Sequence, residues 1–186
     1  MAVLQITTPR MVLGAISWVS VRDHRLMVRV NHWRPPKWLR LWMLAATRGG
    51  DGGLWYALGL AVAIFGGPQR FYAILAAILA VAAGTVLFLE LKRAFRRPRP
   101  CAVEPHCWAE LLPPDQFSFP SGHTITAFAV AVSLGGFYPE MLPGLFFCAA
   151  SVAASRVVLG MHFLSDVLAG AAIGATLGAL ATAAVR

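Results

Sequence analysis

From residue 71 onward the chain alternates long apolar runs with short polar joints. The runs at 71–91, 121–138, 142–159 and 163–185 hold no Lys or Arg except Arg156, near the end of the third. A shorter run covers 54–67. Crossing a hydrocarbon layer about 30 Å thick takes about 20 helical residues. The four long runs therefore predict spanning helices, and the short one joins them if Asp51 to Gly53 sit at the interface. The expected fold is all-α, an integral membrane helical bundle of about five transmembrane helices.

The first 50 residues differ in kind. Short apolar pieces, MVLGAISWV and WLRLWMLAA, are broken by eight basic residues and by the Pro35–Pro36 pair. Trp33, Trp38 and Trp42, set among Arg34, Lys37 and Arg40, suit amphipathic helices lying at headgroup level. A rival reading makes 1–21 a sixth span, but Pro9 and Arg10 would then lie near its middle, where an Arg is costly. A secretory signal fits poorly, because the charge continues past the apolar run. The chain accordingly divides into an amphipathic membrane-interface segment, 1–50, and a transmembrane bundle, 51–186. No repeat of 20 to 50 residues recurs. Gly170, Gly174 and Gly178 form a small-residue stripe on the last helix and predict close helix packing.

Composition agrees with a membrane protein, since 58% of the 186 residues are hydrophobic and 13% charged. The net charge of +8 carries no groove-reading motif, so it points away from nucleic acid and toward a bilayer surface or an anionic headgroup. Placement says more than the sum. Threading five spans puts 14 of the 16 Lys and Arg residues on one face, leaving Arg70 and Arg186 for the other.

Three clusters crowd that face: KRAFRRPRP at 92–100, FPSGH at 119–123 and SRVVLGMHFLSD at 155–166. Each begins or ends a run, so the bundle brings them to one end. Taken singly, each has a plain meaning. The basic run is a topology signal, Pro120, Ser121 and Gly122 start a helix, and Asp166 pairs with Arg156. Together they offer two histidines, a carboxylate, cationic ligands and a helix N-terminus suited to an anion. Ionisable groups at membrane depth usually mark function. His162 and Asp166, four residues apart, predict a carboxylate that orients an imidazole and raises its basicity.

The pattern Lys-x6-Arg-Pro, then Pro-Ser-Gly-His, then Ser-Arg-x5-His-x3-Asp resembles the type 2 phosphatidic acid phosphatase family, which shares its core site with vanadium haloperoxidases. The resemblance covers roughly 51–185, and Arg97-Pro98 offers a second Arg-Pro pair beside Arg99-Pro100. It implies a membrane lipid phosphatase working in two steps without metal or cofactor. His162 attacks phosphorus to give a phosphohistidine, Asp166 holds its ring, and His123 protonates the departing oxygen and then activates water. Lys92, Arg99, Arg156, Ser121 and Gly122 bind the phosphate oxygens, and Ser155 supports them. The implied substrates are phosphatidate, phosphatidylglycerol phosphate, polyprenyl phosphates or diphosphates and lipid A phosphates. Arg93, Arg96 and Arg97 suit an anionic headgroup. Two other readings compete: a soluble-type vanadate haloperoxidase, and a small transporter or channel subunit, which predicts polar residues on both faces. The expected location is a bacterial inner membrane. Positive-inside asymmetry puts the site on the cytoplasmic side, whereas a Cys101–Cys107 disulfide would require an oxidising compartment.

Overall fold

A computed structural model describes residues 10–33, 35–103 and 115–186, with side chains from Trp18 onward. Eight α-helices follow in order: α1 Arg10–His32, α2 Lys37–Gly50, α3 Gly53–Phe65, α4 Arg70–Phe95, α5 Pro100–Val103, α6 Gly122–Phe137, α7 Leu142–Val158 and α8 Leu164–Val185. No strand forms among the described residues; one isolated bridge joins Pro98 to Phe117. All five apolar runs are helical, within a few residues of the expected bounds. Three helical stretches, Gly67–Phe95, Pro139–Val158 and Leu164–Val185, are long and apolar enough to cross a membrane. The helices α3 and α6 have 13 and 16 residues, about 20 and 24 Å at 1.5 Å per residue.

Helix α6 is the centre, packed by α4, α7 and α8. Its Ala127, Ala129 and Ala131 are fully buried. The glycine stripe explains how close α8 comes: a Cβ on Gly174 would lie 2.3 Å from the Ile125 carbonyl oxygen, and one on Gly170 would lie 2.8 Å from that of Ser121. Backbone contact between helices is how a bilayer protein packs without a hydrophobic drive. The outward faces are greasy, with Phe71, Tyr72, Ile78 and Val86 of α4 and Leu168 and Leu180 of α8 exposed. A helix bundle hydrophobic on its outside is built for lipid, and the protein is an integral membrane protein.

The N-terminal segment is two helices broken at Pro35–Pro36, as its composition predicts; the first nine residues of the rival span 1–21 lie outside the described ones. Its second helix does more than rest at a surface. α2 packs along α7 and buries Met43, Thr47 and Gly50. Gly50 permits this approach, because a Cβ there would meet Val152 Cγ1 at 2.9 Å and His123 Cδ2 at 3.3 Å.

Candidate active site

The C-terminal end of α7 turns through Gly160, whose φ of 69° suits a residue without Cβ, and delivers His162 just before α8. The ring is buried. Its Nδ1 lies 2.6 Å from the Ser118 carbonyl oxygen. A carbonyl can only accept, so Nδ1 carries the proton and Nε2 keeps its lone pair. Ser118 is itself fixed, its N–H donating to the Arg97 carbonyl at 2.8 Å and its hydroxyl to that of Pro98 at 3.1 Å. Burial, opposed by Asp166 and aided by Arg99 and Arg156, pushes the His162 pKa down to about 4. The result is a neutral imidazole whose unprotonated Nε2 accepts from Arg99 Nη1 at 3.3 Å.

Asp166 is not the direct acceptor that the four-residue spacing suggests. Its Oδ2 stands 3.7 Å from His162 Nδ1, too far for a hydrogen bond, and accepts the Phe163 N–H at 2.9 Å. The spacing rule assumes one helix, but His162 precedes α8 and Asp166 is its third residue. Oδ1 accepts from Arg97 Nη1 at 2.7 Å, so Asp166 pairs with Arg97 and not Arg156. The same guanidinium reaches Asp23 of α1 through Nη2 at 2.7 Å. Asp23 in turn accepts from the Ser165 backbone and hydroxyl.

Two cations stand before His162. Lys92, near the end of α4, lies over the Phe88 ring and pairs with Asp115. Arg99 donates from Nη1 to the Met161 carbonyl at 2.7 Å and from Nη2 to Asp115 Oδ1 at 2.9 Å. Burial alone would raise the Asp115 pKa, but hydrogen bonds from Lys92 and Arg99 outweigh it and hold the carboxyl below its usual range. Arg156 of α7 is buried, donates to Thr47 of α2 and leaves Nε without an acceptor.

His123, second residue of α6, faces these groups. Its Nε2 lies 2.6 Å from Asp51 Oδ1, at the joint of α2 and α3. The N-terminus of α6 adds Gly122, where a Cβ would lie 2.9 Å from the Phe88 ring.

Of the nine residues expected at the site, Lys92, Arg99, Gly122, His123, Arg156 and His162 line one cavity of about 850 Å³. The other three stand behind it. Ser121 is fully buried and its hydroxyl accepts from Thr124 at 2.9 Å. Ser155 donates to the Val152 carbonyl at 2.6 Å, one turn back in α7, instead of supporting a cation. Sequence reasoning missed Asp51, Asp115, Thr47 and Asp23. The chain has only four aspartates, at 23, 51, 115 and 166, and each holds a basic group here; their scarcity was the available signal. The Cys101–Cys107 expectation falls partly outside the described residues, and Cys101 is a free thiol.

The polar end opens into an apolar shaft walled by α3, α4 and α6, including Ile74, Ala77, Ile78, Val81, Val130 and Leu134. The chain is 39% identical over 90 residues to decaprenylphosphoryl-5-phosphoribose phosphatase of Mycobacterium tuberculosis, covering 48% of this chain and 49% of that one. It is 35% identical over 89 residues to lipid A 1-phosphatase of Rhizobium johnstonii, covering 46% and 36%. The chain thus spans about half the length, or less, of these relatives. Its fold superposes on the crystal structure of Aquifex aeolicus LpxE with a TM-score of 0.72 at 32% identity, covering 84% of this chain and 92% of that one. A transmembrane PAP2-type phosphatidylglycerolphosphate phosphatase from Bacillus subtilis gives 0.71 at 28%, covering 93% and 90%. The PAP2 superfamily profile matches residues 71–186, well over half the chain, and the chain belongs to that superfamily.

Proposed function

We propose that the protein is a membrane lipid phosphatase acting without metal, through a phosphohistidine on His162. The observation that carries this is a buried neutral imidazole, its Nδ1–H tied to Ser118 and its Nε2 unprotonated beside Arg99, facing three cations at the mouth of an apolar shaft. Lys92, Arg99 and Arg156 supply the positive field that a transferring phosphoryl group needs, and the Gly122 end of α6 adds a helix N-terminus. Nε2 attacks phosphorus, the bond to the lipid oxygen breaks, and His123 gives that oxygen a proton. Water then yields a proton to His123 and displaces the phosphoryl group from His162. Asp166 acts one step behind, holding the α8 start and Arg97.

The shaft suits one hydrocarbon chain lying beside the phosphate, which favours a lipid monoester or diphosphate over a soluble one. The relatives named above are phosphatases of decaprenylphosphoryl-5-phosphoribose, lipid A 1-phosphate and phosphatidylglycerolphosphate, and these compounds define the substrate panel. The charge asymmetry supports a site on the cytoplasmic side of a bacterial inner membrane. Labelling of the Cys101 thiol in intact and broken cells checks the side. Purified protein given each lipid phosphate is expected to release inorganic phosphate equally with and without EDTA. Loss of activity in EDTA with recovery in magnesium contradicts the metal-free reading.

A further inference from the structure

The nucleophile's ring is oriented by the Ser118 carbonyl, inside the region the superfamily profile matches, whereas the ring of His123 is held by a residue outside that region and outside every motif. Asp51 caps α2, precedes the matched region by 20 positions and is 72 residues from His123 in sequence. It brings a carboxylate oxygen to 2.6 Å from His123 Nε2, short enough for a charge-assisted hydrogen bond. The bare Cα of Gly50 makes that approach possible. An ion pair whose carboxylate side chain is 62% exposed contributes little to stability. Its effect on the proton of a reacting group is a separate matter.

Building on the phosphatase reading, we propose that Asp51 is a positioning residue for His123, fixing Nε2 as the protonated nitrogen so that Nδ1 serves the substrate. A carboxylate accepts only, so Nε2–H stays in place throughout the cycle. In the first step His162 Nε2 forms the P–N bond, the P–O bond to the lipid breaks with its electron pair on oxygen, and that oxygen takes the proton from Nδ1. His123 is left neutral with Nε2–H still donated to Asp51. In the second step water loses a proton to Nδ1 as its oxygen bonds phosphorus and the P–N pair returns to His162.

The charged groups facing His123 are Asp51 from the α2–α3 joint, Arg156 from α7 and Arg99 from the α4–α5 joint. Both cations oppose a second proton on the ring, and Asp51 favours it. The two histidines thus differ by design. His162 donates to an uncharged carbonyl, which suits a neutral nucleophile; His123 donates to a carboxylate, which suits a proton carrier.

The test compares wild type, Asp51→Asn and Asp51→Glu in detergent, reading first-turnover release of the leaving group from two monoesters. A long-chain alkyl phosphate leaves as an alkoxide and needs the proton; 4-nitrophenyl phosphate leaves as a stable phenolate and does not. Asp51→Asn is expected to slow the alkyl ester about 10- to 100-fold and the aryl ester less than about threefold. KM stays within about twofold, Asp51→Glu restores part of the rate, and the alkaline limb of the alkyl profile moves down by about one pH unit. Equal slowing of both esters, or wild-type rates on both, overturns the inference while leaving the phosphatase reading intact. A wild type that releases phosphate from none of its esters or lipids overturns that reading, and this one with it.

Discussion

The two ends of the cleft hold the same side chain in opposite ways. On one side, His162 is only 3% exposed, locked by a carbonyl and backed by a lattice that runs Asp166, Arg97, Ser165, Asp23. On the other, His123 is more open, with a side chain 24% exposed, and meets the α2–α3 joint through Asp51. Rigid burial keeps an imidazole neutral and aimed; access to water lets the other exchange protons. In the proposed mechanism one fold thereby runs nucleophilic and acid–base chemistry with one residue type.

The largest expected effects come from removing each ring in turn. His162→Ala should abolish turnover, by at least about 10⁴-fold, and leave no phosphoenzyme, since the attacking nitrogen of the proposed mechanism is gone. His123→Ala should also stop turnover on lipid esters by about 10²- to 10⁴-fold. It differs in one respect: with an aryl phosphate it should trap acid-labile phosphohistidine, seen by radiolabel on the protein. Phosphoenzyme of equal amount in both variants would erase the distinction. Because the His162 pKa lies near 4, protonation removes the nucleophile only as pH falls through about 4. Phosphoenzyme formation from the aryl ester should therefore stay flat from about pH 7 down to about pH 5.

Next in size is the lattice behind His162. Arg97 is a single guanidinium shared by two carboxylates, Asp23 at 5% and Asp166 at 0% side-chain exposure. Arg97→Ala leaves both without their cation, a change that costs about 3–5 kcal/mol where a buried pair is broken from one side. Arg97→Lys keeps the charge but cannot span two acceptors with a planar fork. Both variants should unfold at lower temperature than wild type, and the Lys variant, which still folds, should lose about tenfold in kcat with KM little changed. Wild-type kcat in Arg97→Lys would show that the lattice serves α1 docking alone. The contrast with Asp51 is sharp, because Arg97 should affect alkyl and aryl esters alike.

The same contrast explains what could be read from the chain unaided. The helices were legible because an apolar run of bilayer length has few alternatives, and the glycine stripe announced the α6–α8 contact. Lys92, His123, Arg156 and His162 were legible because each sits near the end of a run on the crowded face, and Arg99 because the spacing Lys-x6-Arg-Pro of the family pattern points to it. The supporting groups were not, since spacing rules reach only one or two helical turns. Arg156 meets Thr47 across 109 positions, and Ser165 meets Asp23 across 142. The role given to Asp166 differed for a related reason: the interval of four was read as one continuous helix, and the break at Gly160 with a helix start at Leu164 hands the ring to Ser118 instead. The N-terminal helices looked like a surface anchor because their charges dominate the pattern. Met43, Thr47 and Gly50 occupy the edge of α2 that turns inward, and Asp51 follows at its end.

The smallest effect belongs to Asp115, which touches only the His162 side of the cleft through Lys92 and Arg99. It is the internal counter-ion of both cations, and a substrate oxygen must share or displace it. Its side chain is 37% exposed, so water screens the attraction and the competition is modest. Asp115→Asn is expected to tighten inhibition by inorganic phosphate about threefold, the change in charge outweighing the lost anchor for Arg99, whose Nη1 still holds Met161. Hydrogen bonds from the two cations keep the carboxyl below its usual range, so it stays ionised at neutral pH, and the gain should be constant from about pH 5 to pH 8. Weaker inhibition in the variant would mean that Asp115 organises the cations rather than competing for them. The His162 end of the cleft would then be built as tightly in front of the ring as behind it.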